Sequence, residues 1–246
     1  MIDNVAKLNS YTSLILISVI LFSGCISQGN LVADTVSIKT QDGFELAGSF
    51  YKSNSDKGVI LLHMLNRNRN DWNAFAEQLH KEGYNVLSID LRGHGQSLKK
   101  DGRTVGWQIF SAQDFNDMIL DVKAAKEFLE EKDINKISLI GASIGANIAL
   151  NYAAEDIEIK TIVLLSPGLD YRGVKTEDTA KDYENRPILI VASEDDEYSA
   201  TSSKKLIELA VGKKELKMYT NAGHGTKMFP NTDLDKIIID WLKAYG

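Results

Sequence analysis

Six short, almost uninterrupted apolar runs, at residues 59–63, 86–90, 137–140, 161–165, 188–192 and 216–219, most constrain what this chain can fold into. A strand wetted on one face alternates apolar and polar residues, whereas a near-continuous apolar run suits a strand covered on both faces, as in a parallel sheet. The runs are interleaved with segments of helical spacing at residues 71–81, 112–131, 144–154, 201–209 and 234–243. In the second of these Phe115, Ile119, Val122 and Phe128 fall on one side, and Asp117, Asp121 and Lys123 fall elsewhere. Upstream, residues 35–40 and 44–52 alternate around Gln41-Asp42-Gly43, the pattern of an antiparallel hairpin. The pattern predicts an α/β fold: a mostly parallel, doubly wound sheet behind an N-terminal antiparallel hairpin, with reactive groups at the carboxyl ends of strands.

The chain has 246 residues, enough for one large domain with a real core. Its net charge of −6 offers no basic stripe for phosphates, which argues against nucleic acid as a partner. Cys25 is the single cysteine, so no intramolecular disulfide can form. Lys7 precedes an apolar run over residues 14–22 that is shorter than the ~20 residues a bilayer-spanning helix needs. Ser23 and Gly24 then lead to Cys25, as in a secretion signal. This junction resembles a bacterial-type lipobox, with Phe22 where leucine is more usual. The resemblance implies cleavage before Cys25 and lipid attachment to its sulfur, two-chain anchoring that a single acyl group cannot supply. The alternatives are an uncleaved anchor or a signal cut elsewhere. The expected organisation is a signal peptide over residues 1–24, a tether over 25–34 and one folded domain over 35–246. That domain would lie outside the cytoplasm, lipid-anchored at the membrane or secreted.

Directly after the run ending at Ile140 come Gly141, Ala142, Ser143, Ile144 and Gly145, then a helical stretch. Strand, G-x-S-x-G, helix is the setting in which a sharp turn projects a serine hydroxyl clear of a sheet. A serine hydroxyl is a weak nucleophile at neutral pH and needs a base, itself held in the right tautomer by a third group. Of the four histidines, only His224 follows all the apolar runs, in Asn221-Ala222-Gly223-His224-Gly225. Between Ser143 and His224, the run 188–192 ends in Ser193-Glu194-Asp195-Asp196-Glu197, which places a carboxylate at another strand end. The order serine, acid, histidine is then satisfied. Four successive acids also fit a solvated face, or a hard-cation site, which is the weaker reading.

On these motifs the chain resembles the α/β-hydrolase superfamily, near its esterases and dienelactone hydrolases, from about Val36 to Trp241. Besides Gly141–Gly145, the stretch Asp90-Leu91-Arg92-Gly93-His94-Gly95-Gln96-Ser97 looks like that family's D-x-R-G-H-G-x-S loop. Residues 221–225 look like its histidine loop, and Leu61-Leu62-His63-Met64-Leu65 like its oxyanion segment, with Met64 where the family commonly has glycine. The resemblance implies Asp196 as the acid, three residues beyond Ser193, in preference to Asp195. It implies an oxyanion hole made by the N–H groups of Ile144 and Leu65, with Met64 as the alternate. It also implies that His63, Asp90, Arg92 and His94 brace loops rather than touch substrate. Residues 66–70 read as a solvated loop with an N-cap, and Trp107 and Phe110 as packing or as pocket walls. The 20 residues of 167–186, where the family inserts its lid, are too few for a helical cap domain and predict a short cap over a fairly open site.

The expected activity is hydrolysis of small carboxylic esters through an acyl-enzyme, with Ser143, His224 and Asp196 as triad and with no cofactor and no metal. Peptide or thioester hydrolysis by the same triad is the alternative, and a membrane-tethered binding protein of this fold is the alternative of another class.

Overall fold

The computed structural model describes residues 33–246, together with Met1. The signal segment, Cys25 and most of the tether lie outside the described residues.

The hairpin forms as β1 (Asp34–Lys39) and β2 (Phe44–Tyr51), paired antiparallel from Asp34 opposite Phe50 to Lys39 opposite Glu45. The six apolar runs become β3 (Lys57–Leu62), β4 (Asn85–Ile89), β5 (Lys136–Ala142), β6 (Ile162–Leu165), β7 (Ile188–Ser193) and β8 (Lys214–Tyr219). Across the sheet the order is β8, β7, β6, β5, β3, β4, β2, with β1 on the outer side of β2. The strands from β3 onward are mutually parallel, and β2 joins β4 antiparallel.

The continuous apolar runs have the predicted cause. Ile60 and Leu62 of β3, Leu139 of β5 and Ile188 and Ile190 of β7 enter a core on one face. Val59, Leu61, Ile140, Leu189 and Val191 enter a second core on the other. The first face is covered by α3 (Ile119–Glu130), α4 (Ile144–Glu155) and α6 (Glu197–Leu209), the second by α1 (Asn73–Lys81) and α7 (Leu234–Tyr245). β8 departs from the pattern: it is an edge strand, and none of its residues is fully buried.

The predicted helix at 112–131 is two helices, α2 (Ala112–Asn116) and α3. α2 begins at a capping box in which Ser111 N–H donates to Asp114 Oδ2 at 2.8 Å. The break at Asp117 and Met118 is bridged by i→i+3 bonds, including Asp121 N–H to the Met118 carbonyl at 3.1 Å. It turns Asp121 inward. Asp121, off the apolar side of the sequence pattern, is wholly buried and accepts from Arg92 N–H and Arg92 Nε, both at 2.8 Å. Arg92 completes its fork on Asp42 in the hairpin turn, at 2.9 and 3.0 Å. Stretch 167–186 forms a two-residue ribbon pairing Asp170–Tyr171 with Val174–Lys175, then α5 (Glu177–Asp182). Among the described residues no helix is long and apolar enough to cross a membrane.

Candidate active site

Ser143 sits between the end of β5 and the first turn of α4 with φ 54° and ψ −121°, a conformation that residues other than glycine rarely adopt. The surroundings hold it there. Its N–H donates to the Leu165 carbonyl of β6 at 2.8 Å, and its carbonyl accepts from Ala146 N–H at 2.9 Å. The flanking glycines are needed because backbones meet at the turn. A Cβ on Gly141 would lie 2.1 Å from the Gly145 carbonyl oxygen, and one on Gly145 would lie 2.6 Å from that of Leu62. G-x-S-x-G is therefore a packing requirement here as well as a motif.

At the end of β7, Asp195 and Asp196 separate into different tasks. Asp196 Oδ2 lies 2.6 Å from His224 Nδ1. Asp195 turns to the backbone of the histidine loop, accepting from Ala222 N–H and Gly223 N–H at 3.2 Å and from the Ser193 hydroxyl. Those bonds, the Ser193 hydroxyl foremost, hold the Asp195 carboxyl below the usual range. The loop is fixed further by Gly225 N–H donating to Ser166 Oγ at 2.9 Å. Gly225 also packs so tightly that a Cβ there would meet Met64 Sδ at 2.4 Å and Ala142 Cβ at 3.4 Å. His224 is thus brought beside the Ser143 turn and the segment after β3. With a carboxylate on Nδ1, the neutral ring carries its proton there and leaves Nε2 as a free acceptor. Among the described residues no hydrogen bond joins the Ser143 hydroxyl to the His224 ring, a looseness common in sites without substrate.

Leu65 and Ile144 occupy the first turn after β3 and the first turn of α4, respectively. Neither N–H has a backbone acceptor among the described residues, so both are available to an external oxygen. Met64, in place of the usual glycine, does not block the segment: its side chain is buried against Gly225.

The loops beneath are braced. His63 is wholly buried, with Nδ1 donating to the Met64 carbonyl at 2.7 Å and Nε2 accepting from Leu91 N–H at 3.0 Å. Arg69, expected in a solvated loop, is buried instead. It is paired with Asp90, and Asp90 also accepts from Arg69 N–H at 2.7 Å and Gln96 N–H at 2.8 Å. Asn68 does cap the turn, accepting from Asn70 N–H at 3.0 Å. Trp107 stacks on His94 with ring centroids 5.6 Å apart, and Phe110 packs edge-on against Phe115. Trp107 and His94, with Asn66, Asn68 and Gln108, also wall a cleft of about 360 Å³ beside the Leu65 turn.

Burial, reinforced by the neighbouring His63, pushes the His94 pKa down to about 4, and burial lowers that of His63 as well. The unfolded chain therefore takes up these protons first, near pH 6.5. Stability is complete above that pH and is lost as pH falls toward 4, by about 3 kcal/mol for His94 alone. The urea midpoint is expected to be lower at pH 5 than at pH 7, and His94→Gln should flatten the dependence. An equal slope in the variant would remove His94 from the account.

Four site residues were missed in the sequence: Ser166, Tyr171, Ser193 and Ser199. The Tyr171 hydroxyl lies 2.8 Å from Ser199 Oγ, donates to the Ser166 carbonyl at 3.3 Å, and faces the Ser143 side chain. Ser199 Oγ in turn lies 3.5 Å from His224 Nδ1. The only sequence signal was the pair of glycines, Gly168 and Gly173, bounding a tight ribbon. Ser143 is only 7% exposed, and the hydroxyl that faces it comes from the short insertion. Among the described residues no group of three or more His, Cys, Asp or Glu side chains is placed to hold a metal ion.

Residues 53–178, just over half of the chain, match the model of the family described as serine aminopeptidase, S33. The chain belongs to this family of the α/β-hydrolase superfamily. The match includes Leu65, Ser143 and Ile144 and ends before Asp196 and His224. Over 124 residues this α/β-hydrolase is 27% identical to a thermostable monoacylglycerol lipase of Bacillus sp. (strain H-257), covering 50% of this chain and 46% of the lipase. It is 26% identical over 151 residues to a putative 2-succinyl-6-hydroxy-2,4-cyclohexadiene-1-carboxylate synthase of Bacillus subtilis, covering 60% of this chain and 51% of the synthase. The chain spans about half the length or less of the curated relatives it matches. Among solved structures, a Pyrococcus furiosus esterase superposes with a TM-score of 0.71 at 22% identity, covering 87% of this chain and 92% of that one. A Butyrivibrio proteoclasticus protein solved with ferulic acid bound gives 0.71 at 19% identity, covering 85% and 98%. These likenesses establish the fold, a mostly parallel sheet with N-terminal antiparallel strands.

Proposed function

We propose that this α/β-hydrolase is a serine esterase. Ser143 Oγ attacks an ester carbonyl as His224 Nε2 takes its proton. The oxyanion is met by the N–H groups of Leu65 and Ile144, and the proton passes to the departing alcohol. Water activated by the same imidazole then releases the acid. Asp196 holds the ring in the tautomer this requires and stabilises the imidazolium that forms. The observation that carries the reading is the 2.6 Å contact between Asp196 Oδ2 and His224 Nδ1, in a loop packed against the serine turn. The monoacylglycerol lipase and esterase likenesses support ester substrates. The family description keeps peptide hydrolysis as a second reading.

A matched panel separates the two. Short p-nitrophenyl esters should exceed aminoacyl p-nitroanilides of the same acyl size in kcat/KM by about 100-fold or more. Preference for the anilides would make the protein a peptidase, and thioesters in the same panel would expose a thioesterase.

A further inference from the structure

The ribbon carrying Tyr171 is short but not loose. Asn147, wholly buried one turn beyond Ser143 in α4, grips it from below: its Nδ2 donates to the Val174 carbonyl at 2.8 Å, and its Oδ1 accepts from Gly168 N–H at 3.0 Å. Thr176 Oγ1 donates to the Gly168 carbonyl at 2.7 Å, and Asn116 Nδ2 donates to the Gly173 carbonyl at 3.1 Å. Tyr198 of α6 holds the other edge. Its hydroxyl donates to the Asp170 carbonyl and accepts from Asp170 N–H, both at 2.9 Å, and its ring packs edge-on against Tyr171 at 5.5 Å. Gly168 has no room for a side chain, because a Cβ would lie within 2.8 Å of both tyrosine rings.

Held this way, the Tyr171 ring meets His224 edge-on, with centroids 6.4 Å apart and planes at 89°. Burial pushes its hydroxyl pKa up to about 12, so it stays protonated across the working range. In the proposed reaction His224 must hand a proton to the departing alcohol, so the alcohol lies on the histidine side of Ser143. The oxyanion donors Leu65 and Ile144 come from other segments.

We propose that Tyr171 determines specificity by limiting the size of the alcohol group that fits between Ser143 and His224. The ring supplies the limit, and the hydroxyl, through Ser199 and the Ser166 carbonyl, keeps the ring from swinging aside. This rests on Ser143 being the nucleophile.

The test compares acetates of a small and a bulky alcohol, ethyl and cyclohexyl, with p-nitrophenyl acetate and octanoate as an acyl-length control. Tyr171→Ala should raise the cyclohexyl-to-ethyl ratio of kcat/KM about tenfold or more and leave the acyl-length ratio within about twofold. Tyr171→Phe keeps the ring but releases it from Ser199 and the Ser166 carbonyl, so the alcohol ratio should move toward that of the alanine variant by a smaller step. Tyr171→Leu, smaller than tyrosine but still apolar, should move it in the direction of alanine and guards against a folding defect in the alanine variant. An unmoved alcohol ratio in both small variants, or a change confined to acyl length, overturns the proposal. Fluorophosphonate labelling of Ser143 in the parent separates the two failures. Labelling with an unmoved ratio sinks only the Tyr171 inference, whereas no labelling at Ser143 sinks the site reading and this proposal with it.

Discussion

Replacing Ser143 with alanine is expected to lower kcat on p-nitrophenyl esters by about 10⁴- to 10⁶-fold and to abolish covalent labelling by a fluorophosphonate. The upper figure corresponds to about 8 kcal/mol of lost transition-state stabilisation. Alanine keeps the Cβ and the backbone of this position, so the strained turn, the Leu165 contact and the glycine packing are unchanged. The melting temperature should stay within a few degrees of the parent. KM should change little, because the N–H groups of Leu65 and Ile144 and the substrate contacts persist, and these account for the residual rate. Equal labelling of parent and variant would place the nucleophile elsewhere and remove the basis of the esterase reading.

The second large effect is expected at Asp196. Asparagine there fits the same space but can present an amide N–H to His224 Nδ1, favouring the ring tautomer with its proton on Nε2. That tautomer cannot accept from Ser143, and kcat should fall by about 10⁴-fold. Asp195→Asn is the matched control. With its amide oxygen in the place of Oδ1, it can still accept from Ala222 N–H at 3.2 Å and Gly223 N–H at 3.5 Å, so the histidine loop stays close to its place. The expected loss is less than about tenfold. A larger loss at Asp195 than at Asp196 would mean that loop anchoring, not the acid–histidine contact, limits the reaction.

Adjacent carboxylates of this kind show where sequence reasoning meets its limit. Asp195 and Asp196 are chemically identical, and the preference for Asp196 came from a family spacing. Their division of labour follows from the turn between β7 and α6, closed by Asp196 N–H on the Ser193 carbonyl at 3.0 Å, from which one carboxylate meets the imidazole and the other the backbone that carries it. Asp121 and Arg69 make the same point in the opposite sense. Charge predicts exposure, yet each is buried because a partner distant in sequence, Arg92 or Asp90, meets it. No periodicity within a segment can report a partner that the fold supplies from elsewhere.

By itself the sequence determined the layered parallel sheet, since strands covered on both faces must be apolar throughout. It also determined the serine turn, since glycine is required wherever backbones approach this closely. Both are local signals, written in consecutive residues. Only the tertiary structure decided that β8 is an edge strand, that Asp196 rather than its neighbour meets His224, and that Tyr171 faces Ser143 and His224. Each of those depends on which segments become neighbours in space. That is set by how the whole chain buries its apolar surface and satisfies its hydrogen bonds.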